Sequence, residues 1–274
     1  SPETIVTMGI HDSNASLLPY LAKEEGDFVL NSTGTWCVVM HPAQDFSFDP
    51  EDIGKAVFFN QAATLKPVKT CNFLGGLEFE TYSELIRKAS GETGRHSFDR
   101  DLVRKILHEK RFFILPDIIP GSGQFTGSLP RVVEDGKVFP LEEIQSGKRV
   151  PRFFSQFDTA MTVLSLSLVV QSDTAFRRAG FKPGVNLYIE GGFRKDREYT
   201  TLVSSLYPES KVCLTDIAQA TSFGAAMIGK MAMEGIPLKD LGSRVKITYT
   251  PVEKESFEEL RSYMEAYHAL VSSS

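Results

Sequence analysis

The chain has 274 residues, of which 42% are hydrophobic and 24% charged, a composition typical of a globular protein with a sizeable core. Its formal net charge of -5 excludes a broad basic surface for nucleic acid or an anionic membrane. The longest apolar runs are only as long as strands, which excludes a bilayer-spanning helix, and the opening residues predict no secretory leader.

The first predicted elements are a strand over residues 4–10 and a helix that follows it. His11 and Asp12 lie between the two, and Ser13 or Asn14 is expected to cap the helix. A carboxylate at the end of a strand is a common position for catalytic chemistry. For an isolated aspartate, however, a capping role is the better explanation.

Two apolar runs, residues 28–30 and 37–40, flank a polar turn and predict a β-hairpin. The turn consists of Asn31, Ser32, Thr33, Gly34, Thr35 and Trp36. Its three hydroxyl groups, and a glycine that permits close backbone approach, suit the oxygens of a polyphosphate. An ordinary polar turn would explain the same residues. Trp36 is expected to belong to the core.

Strands and helices then alternate along the chain. Strands are predicted at residues 56–61, 111–116, 185–189, 211–214 and 245–249. Helices are predicted at residues 78–89, 98–110, 153–179, 195–206, 218–233 and 256–270. The stretch from residue 117 to 151 is expected to be irregular.

This order predicts an α/β fold with one mixed sheet and helices on its faces. In such sheets ligands bind at the carboxyl ends of the strands. Gly75 and Gly76 come just before a predicted helix, where free N–H groups favour an anion. Gly191 and Gly192 directly follow a predicted strand. We therefore expect these two turns and the turn at Gly34 to meet.

The three cysteines, Cys37, Cys71 and Cys213, are far apart in the sequence and lie in or beside apolar runs. This pattern predicts buried free thiols in a reducing cytoplasm. No Cys/His cluster has the spacing of metal ligands, so no structural metal is expected.

Five motifs occur in order along residues 9–229. They are Gly9-x-His11-Asp12, Ser32-Thr33-Gly34-Thr35-Trp36, Asn72-x-x-Gly75-Gly76, Glu190-Gly191-Gly192 and Ala220-Thr221-Ser222-x-Gly224-Ala225-Ala226. Together they resemble the FGGY carbohydrate kinases, and within these the rhamnulokinase and fuculokinase branch. The resemblance implies an actin-like ATPase fold of the ribonuclease-H-like type. It also implies that residues 1–274 are the C-terminal, nucleotide-binding domain of a two-domain sugar kinase, and that the N-terminal sugar-binding domain is absent from this chain.

By this resemblance the reaction is the ATP-dependent phosphorylation of a sugar hydroxyl, on a ketose such as L-rhamnulose or L-fuculose. Asp12 would be the general base for that hydroxyl, and His11 would contact the sugar or orient Asp12. Mg²⁺ would arrive with the nucleotide, held mainly by phosphates and water.

The resemblance also implies a set of nucleotide contacts. Thr33, Gly34 and Thr35 would hold the β- and γ-phosphates. Gly75 and Gly76 would contact the phosphates or the ribose, while Gly191 and Gly192 would lie against the adenine and ribose. Lys195 stands near the position where the family often has an asparagine that meets the adenine edge.

The alternative function is a non-catalytic, actin-like nucleotide-binding module, which has no need of a carboxylate at Asp12. The expected partners are a small sugar and ATP, without nucleic acid or membrane. Both a monomer and a homodimer are compatible with the sequence.

Overall fold

The computed structural model of this chain describes residues 4, 6–7, 9–43, 45–217 and 219–272. The strands are β1 (Phe28–Thr33), β2 (Cys37–Pro42), β3 (Val57–Gln61), β4 (Pro67–Phe73), β5 (Phe112–Leu115), β6 (Arg131–Glu134), β7 (Lys137–Pro140), β8 (Asn186–Gly191), β9 (Val212–Asp216) and β10 (Thr248–Pro251). The helices are α1 (Asp12–Lys23), α2 (Gly75–Ser90), α3 (Arg100–Glu109), α4 (Leu141–Gln145), α5 (Phe157–Arg178), α6 (Arg197–Leu206), α7 (Ala220–Glu234), α8 (Leu238–Leu241) and α9 (Leu260–Ser272).

Among the described residues, seven strands form one sheet in the order β10-β9-β8-β1-β2-β4-β3. The neighbours β1, β8 and β9 run parallel, and the other neighbouring pairs are antiparallel. The predicted mixed sheet is therefore confirmed. Its three parallel strands place their carboxyl ends along one edge.

Helices cover both faces of this sheet, as predicted. On one face α1, α7 and α8 bury apolar side chains against residues such as Leu30 and Tyr188. On the other face α2, α5, α6 and α9 build a larger core around residues such as Val39 and Leu187. Along each strand between these layers, successive side chains point alternately into one core and into the other.

Helices α1 and α7 approach each other unusually closely. Pro19 lies inside α1 and has no N–H to donate to the carbonyl of Ala15. Gly224 of α7 lies against that carbonyl, and a Cβ at Gly224 would overlap it. Gly224 thus allows α7 to pack directly onto α1.

The start of the chain differs from the prediction. Residues 5 and 8 of the predicted strand lie outside the described residues, and the described residues among 4–10 form no strand. The cap of α1 is His11, whose Nδ1 accepts a hydrogen bond from Ser13 N at 3.3 Å. The prediction of Ser13 or Asn14 as the cap is wrong, because the backbone is already helical from Asp12 onward.

Two further differences concern strands. β4 lies between β2 and β3 in the sheet, although the sequence did not predict it. The stretch expected to be irregular contains β6, β7 and α4, and β5, β6 and β7 form a second sheet of three strands within the described residues. Asp135 and Gly136 form the turn of the β6–β7 hairpin, with φ of 50° and 75°. An Asp-Gly pair is a known hairpin signal, and it was missed because its flanking strands are short.

Cys37, Cys71 and Cys213 are free and buried, as predicted. None of the helices in the described part of the chain is both long and apolar enough to cross a membrane.

Candidate functional site

The three glycine turns meet at the carboxyl ends of β1, β4 and β8. Thr33 and Gly191 are the last paired residues of the parallel strands β1 and β8. Gly192 N donates to Thr33 O at 2.7 Å, and Leu77 N donates to Thr35 O at 3.3 Å. The hairpin tip therefore bonds directly to both of the other turns.

Glycine is required at two of these contacts because the backbones touch. A Cβ at Gly76 would overlap the carbonyl of Gly34. A Cβ at Gly191 would overlap the carbonyl of Thr33, and Gly191 also has a φ of 84°, in the left-handed region. A side chain at either position would push the turns apart.

The hydroxyl groups of the hairpin tip have different surroundings. Thr33 is buried; its Oγ1 donates to Glu190 O at 2.5 Å and accepts from Phe193 N at 3.0 Å. Gly34 and Thr35 are exposed. Thr33 therefore holds the tip in place, and Thr35 presents its hydroxyl group to solvent. The Gly34 N–H is engaged within the tip, where it donates to Trp36 O at 3.0 Å.

The first N–H groups of α2 point into the protein. Those of Gly75 and Gly76 donate to the sulfur of Cys37, and burial raises the pKa of that thiol. The next one, Leu77 N, bonds to the hairpin tip. In this structure Gly75 and Gly76 pack α2 onto the hairpin, and their contact with phosphate or ribose stays a prediction.

A pocket of about 420 Å³ opens beside Gly192. Lys195 lines it, as do Phe79, Phe98 and Phe193. The rings of Phe79 and Phe193 lie 5.9 Å apart at 62°. Sequence reasoning missed Phe79 and Phe98, since an aromatic residue at helical spacing or in a loop is more often core than ligand contact.

One wall of this pocket is fixed by a charged cluster around His96. Its Nδ1 lies 2.8 Å from Asp158 Oδ1, and its Nε2 lies 3.2 Å from Glu198 Oε2. Thr162 Oγ1 also donates to Glu198, at 3.1 Å. Burial lowers the pKa of His96, but the two carboxylates outweigh burial and raise it to about 9. His96 is thus a cation at neutral pH.

Asp12 and His11 lie at the exposed start of α1. The Asp12 side chain is 75% exposed, and its Oδ1 accepts from Ser13 N at 2.7 Å and lies 2.9 Å from His11 Nδ1. Within the described residues, no hydrogen bond or ion pair joins Asp12 to the three turns. The roles of general base and of helix-end residue both stay open on this geometry.

Trp36 is 42% exposed, so the expectation that it belongs to the core is wrong. It lies beyond the last residue pair of the β1–β2 hairpin, Thr33 and Cys37, where neither helical layer covers it. As the single tryptophan of the chain, it is a fluorescent reporter at the hairpin tip.

In the part of the chain that the structure describes, no group of three or more His, Cys, Asp or Glu side chains could hold a metal ion. The Mg²⁺ expected to arrive with a nucleotide stays a prediction.

The sequence profile of the family described as "Carbohydrate kinase FGGY, C-terminal domain" matches residues 25–237. No curated protein matches the chain by sequence.

Solved structures of sugar kinases share this fold. A carbohydrate kinase from Novosphingobium aromaticivorans matches with a TM-score of 0.68 and 23% identity, over 100% of this chain and 53% of that one. A xylulose kinase from Rhodospirillum rubrum matches with a TM-score of 0.62 and 12% identity, over 97% of this chain and 50% of that one. The glycerol kinase of Plasmodium falciparum with ADP matches with a TM-score of 0.57 and 12% identity, over 96% and 50%. The chain thus has the actin-like ATPase fold and spans about half the length of these structures.

Proposed function

Because this chain belongs to the FGGY carbohydrate kinases, whose C-terminal domain profile matches residues 25–237, we propose that it is the nucleotide-binding half of an ATP-dependent sugar kinase. The observation that carries the proposal is the meeting of the three glycine turns beside a pocket. Gly192 N is bonded to Thr33 O, and the same glycine lines the pocket.

The phosphate end of the site is the exposed hairpin tip. Thr35 is exposed and presents its hydroxyl group to solvent, and Gly34 adds no side chain that would block the approach of a ligand, although its own N–H donates to Trp36 O at 3.0 Å. Such groups suit the β- and γ-phosphates of ATP. Thr33 contributes by fixing the tip, because its own hydroxyl is engaged inside the protein.

The base end is the pocket beside Gly192. Its volume of about 420 Å³ is within the range of small-ligand sites. The rings of Phe79 and Phe193 supply apolar surface for a flat base, and Lys195 supplies a cation in place of the asparagine often found in the family. Gly191 and Gly192 would lie between this pocket and the phosphates, next to the ribose.

ATP supplies the phosphoryl group in the proposed reaction. Asp12 would accept the proton of the sugar hydroxyl, a role for which its exposure on α1 leaves it accessible. His11, 2.9 Å away, would orient that carboxylate or contact the sugar. Most sugar contacts would come from an N-terminal domain. The rhamnulokinase and fuculokinase branch, and with it a ketose such as L-rhamnulose or L-fuculose, is proposed from the five motifs alone.

One observation favours the second candidate, a non-catalytic nucleotide-binding module. Within the described part of the chain, the hydrogen bonds and the ion pair of the Asp12 side chain are with its chain neighbours His11 and Ser13. A module of this kind would keep the three turns and the pocket without using the carboxylate.

Titration of the purified chain with ADP tests the nucleotide site. We expect weak binding, with a Kd on the order of 0.1–1 mM, because this chain supplies one wall of a cleft. Isothermal calorimetry and the fluorescence of Trp36 should report it together.

Lys195→Gln should weaken ADP binding by roughly threefold to tenfold, since it removes a charge from the pocket. Lys137→Gln is the matched control, because Lys137 is an exposed lysine of β7 in the second sheet. A folded wild-type chain that shows no heat and no fluorescence change at millimolar ADP would contradict the proposed site.

A further inference from the structure

A row of polar side chains crosses the three parallel strands just before their carboxyl ends. Ser32 of β1 pairs in register with Glu190 of β8, and Thr215 lies at the same level of β9. Tyr20 of α1 covers the row: its hydroxyl donates to Glu190 Oε2 at 2.9 Å and shares a hydrogen bond of 2.6 Å with Thr215 Oγ1. Ser32 also hydrogen-bonds to the Glu190 side chain.

This row is buried within an apolar layer. Glu190 is 6% exposed and Tyr20 is fully buried. The Tyr20 ring stacks on Tyr188 at a centroid distance of 5.8 Å and lies 6.2 Å from Phe28. Burial raises the pKa of Glu190, and its hydrogen bonds with Ser32 and Tyr20 act against that rise. A buried polar group of this kind is costly unless its partners stay in place, so the row resists rearrangement.

Glu190 also holds the hairpin through its backbone. Its carbonyl accepts the hydrogen bond from Thr33 Oγ1. The residue therefore bonds to Ser32 with its side chain and to Thr33 with its main chain, immediately before the exposed Gly34 and Thr35. Its third partner, Tyr20, belongs to the helix that begins at Asp12, eight residues or about 12 Å earlier along the helix axis.

We propose that Glu190 is a positioning residue of the nucleotide site, which fixes the hairpin tip at Ser32 and Thr33 relative to helix α1 through Tyr20. The inference rests on the proposed nucleotide function. Its rival is a purely structural role, in which the row stabilises the fold and leaves the tip unaffected.

Truncation of Glu190 separates the two roles. Glu190→Ala removes both side-chain hydrogen bonds from a buried carboxyl group, and a loss of roughly 10–100-fold in ADP affinity is the expected result. Glu190→Gln keeps an oxygen for Tyr20 and an N–H for Ser32, so it should restore affinity to within about threefold of the wild type.

The control is Tyr263→Phe. Tyr263 is also fully buried and donates its hydroxyl to Phe112 O at 2.8 Å, in the core beside the second sheet. It should lower the melting temperature and leave the ADP Kd unchanged. A structural role for Glu190 predicts the same behaviour for Glu190→Ala.

A double-mutant cycle tests the link itself. Tyr20→Phe keeps the stacked ring and loses only the hydroxyl, and Ser32→Ala loses the hydroxyl on the other side of Glu190. If Glu190 connects the helix to the tip, the two changes in ADP affinity are non-additive by at least about twofold. If Glu190→Ala does not fold, Tyr20→Phe and Ser32→Ala still test the proposal, because each removes only one hydroxyl group.

The outcomes are distinct. If the folded wild-type chain does not bind ADP, the proposed function fails and this inference fails with it. If the wild type binds, an unchanged Kd for folded Glu190→Ala, or additive effects of Tyr20→Phe and Ser32→Ala, overturns the inference alone. Equal loss in Glu190→Gln and Glu190→Ala would also overturn it, since positioning by hydrogen bonds requires rescue by glutamine.

Discussion

Glu78 carries a buried carboxylate in the first turn of α2. Its Oε1 accepts from Asp117 N at 3.0 Å and Ile118 N at 3.3 Å, and its Oε2 accepts from Gln171 Nε2 at 2.8 Å. Burial outweighs these bonds and raises the pKa of Glu78 to about 7. Burial, together with the Glu78 charge, also raises the pKa of Asp117 to about 7.

A raised carboxyl pKa means that the folded chain holds protons that the unfolded chain releases above pH 4.5. The stability from Glu78 is therefore complete below about pH 4.5 and is lost as the pH rises through about 7. We expect the unfolding free energy to fall by on the order of 2–3 kcal/mol across this window, and Glu78→Gln to flatten that fall.

Urea denaturation between pH 4.5 and 6.5 measures this effect. The pKa of His96 is raised from 6.5 to about 9 in the folded chain, so His96 changes the pH dependence of stability only above this range. Glu80→Gln is the control, because Glu80 is exposed on the same helix. Parallel pH slopes for the wild type and Glu78→Gln would contradict the assignment.

Asp12→Asn in the proposed two-domain kinase addresses the catalytic proposal. Asparagine keeps the size and one oxygen but cannot accept a proton, so kcat should fall by about 10²–10⁴-fold while ADP affinity barely changes. An unchanged melting temperature with undiminished sugar phosphorylation would remove Asp12 from the mechanism, since asparagine supports a helix N-terminus about as well as aspartate.

At the scale of residues, the sequence identified the turn from Ser32 to Thr35 but not which hydroxyl faces inward. Thr33 is buried because its partners Glu190 and Phe193 come from β8 and the turn after it, about 160 positions away in the sequence. No local pattern contains that information. The same limit applies to Trp36, whose exposure depends on where the covering helices end.

At the scale of elements, the contact between α1 and α7 makes a sharp prediction. Gly224→Ala places a methyl group against the Ala15 carbonyl and should destabilise the chain by about 1–3 kcal/mol. Gly229 lies in the same helix with no atom within 4 Å of an added Cβ. Gly229→Ala should therefore stabilise by up to about 1 kcal/mol, through helix propensity alone. Thermal unfolding of both variants measures the difference, and a shift in the same direction for both would contradict it.

Long, periodic elements such as α5 and strands followed by glycine, such as β8, were predictable because their patterns are local. β4 was not, since it begins with Pro67 and has Lys69 as its third residue, so that its pairing with β2 and β3 decides its conformation. β6 and β7 were missed for the same reason. Each has four residues and is stabilised by its neighbour more than by its own sequence.

At the scale of the whole molecule, the alternation of elements was enough to predict one mixed sheet with helices on both faces. The second sheet was only partly predictable. β5 matches the strand predicted at residues 111–116, but β6 and β7 come from a stretch that has no alternating pattern of its own. The chain corresponds to about half the length of each of these solved kinases. In the proposed kinase, the complementary wall of the cleft would come from an N-terminal domain.

Joining this chain to the proposed sugar-binding domain should therefore strengthen ADP binding. We expect a gain of roughly 5–150-fold in the presence of sugar, the usual range of coupling between two sites. Calorimetry with the longer protein, with and without sugar, measures it. Equal affinity for ADP in the isolated chain and in the sugar-bound protein would argue that the two halves do not share the site.

The hydrogen bond from Phe193 N to Thr33 Oγ1 joins residues 160 positions apart. Neither partner can keep it if β1 and β8 separate, so the hairpin tip has its native shape only in a chain whose central sheet is intact. Backbone protons at this junction should exchange with deuterium only when the domain opens as a whole. A nucleotide held there would consequently slow exchange throughout the sheet, including strands that it never touches, by the factor that its concentration and affinity set.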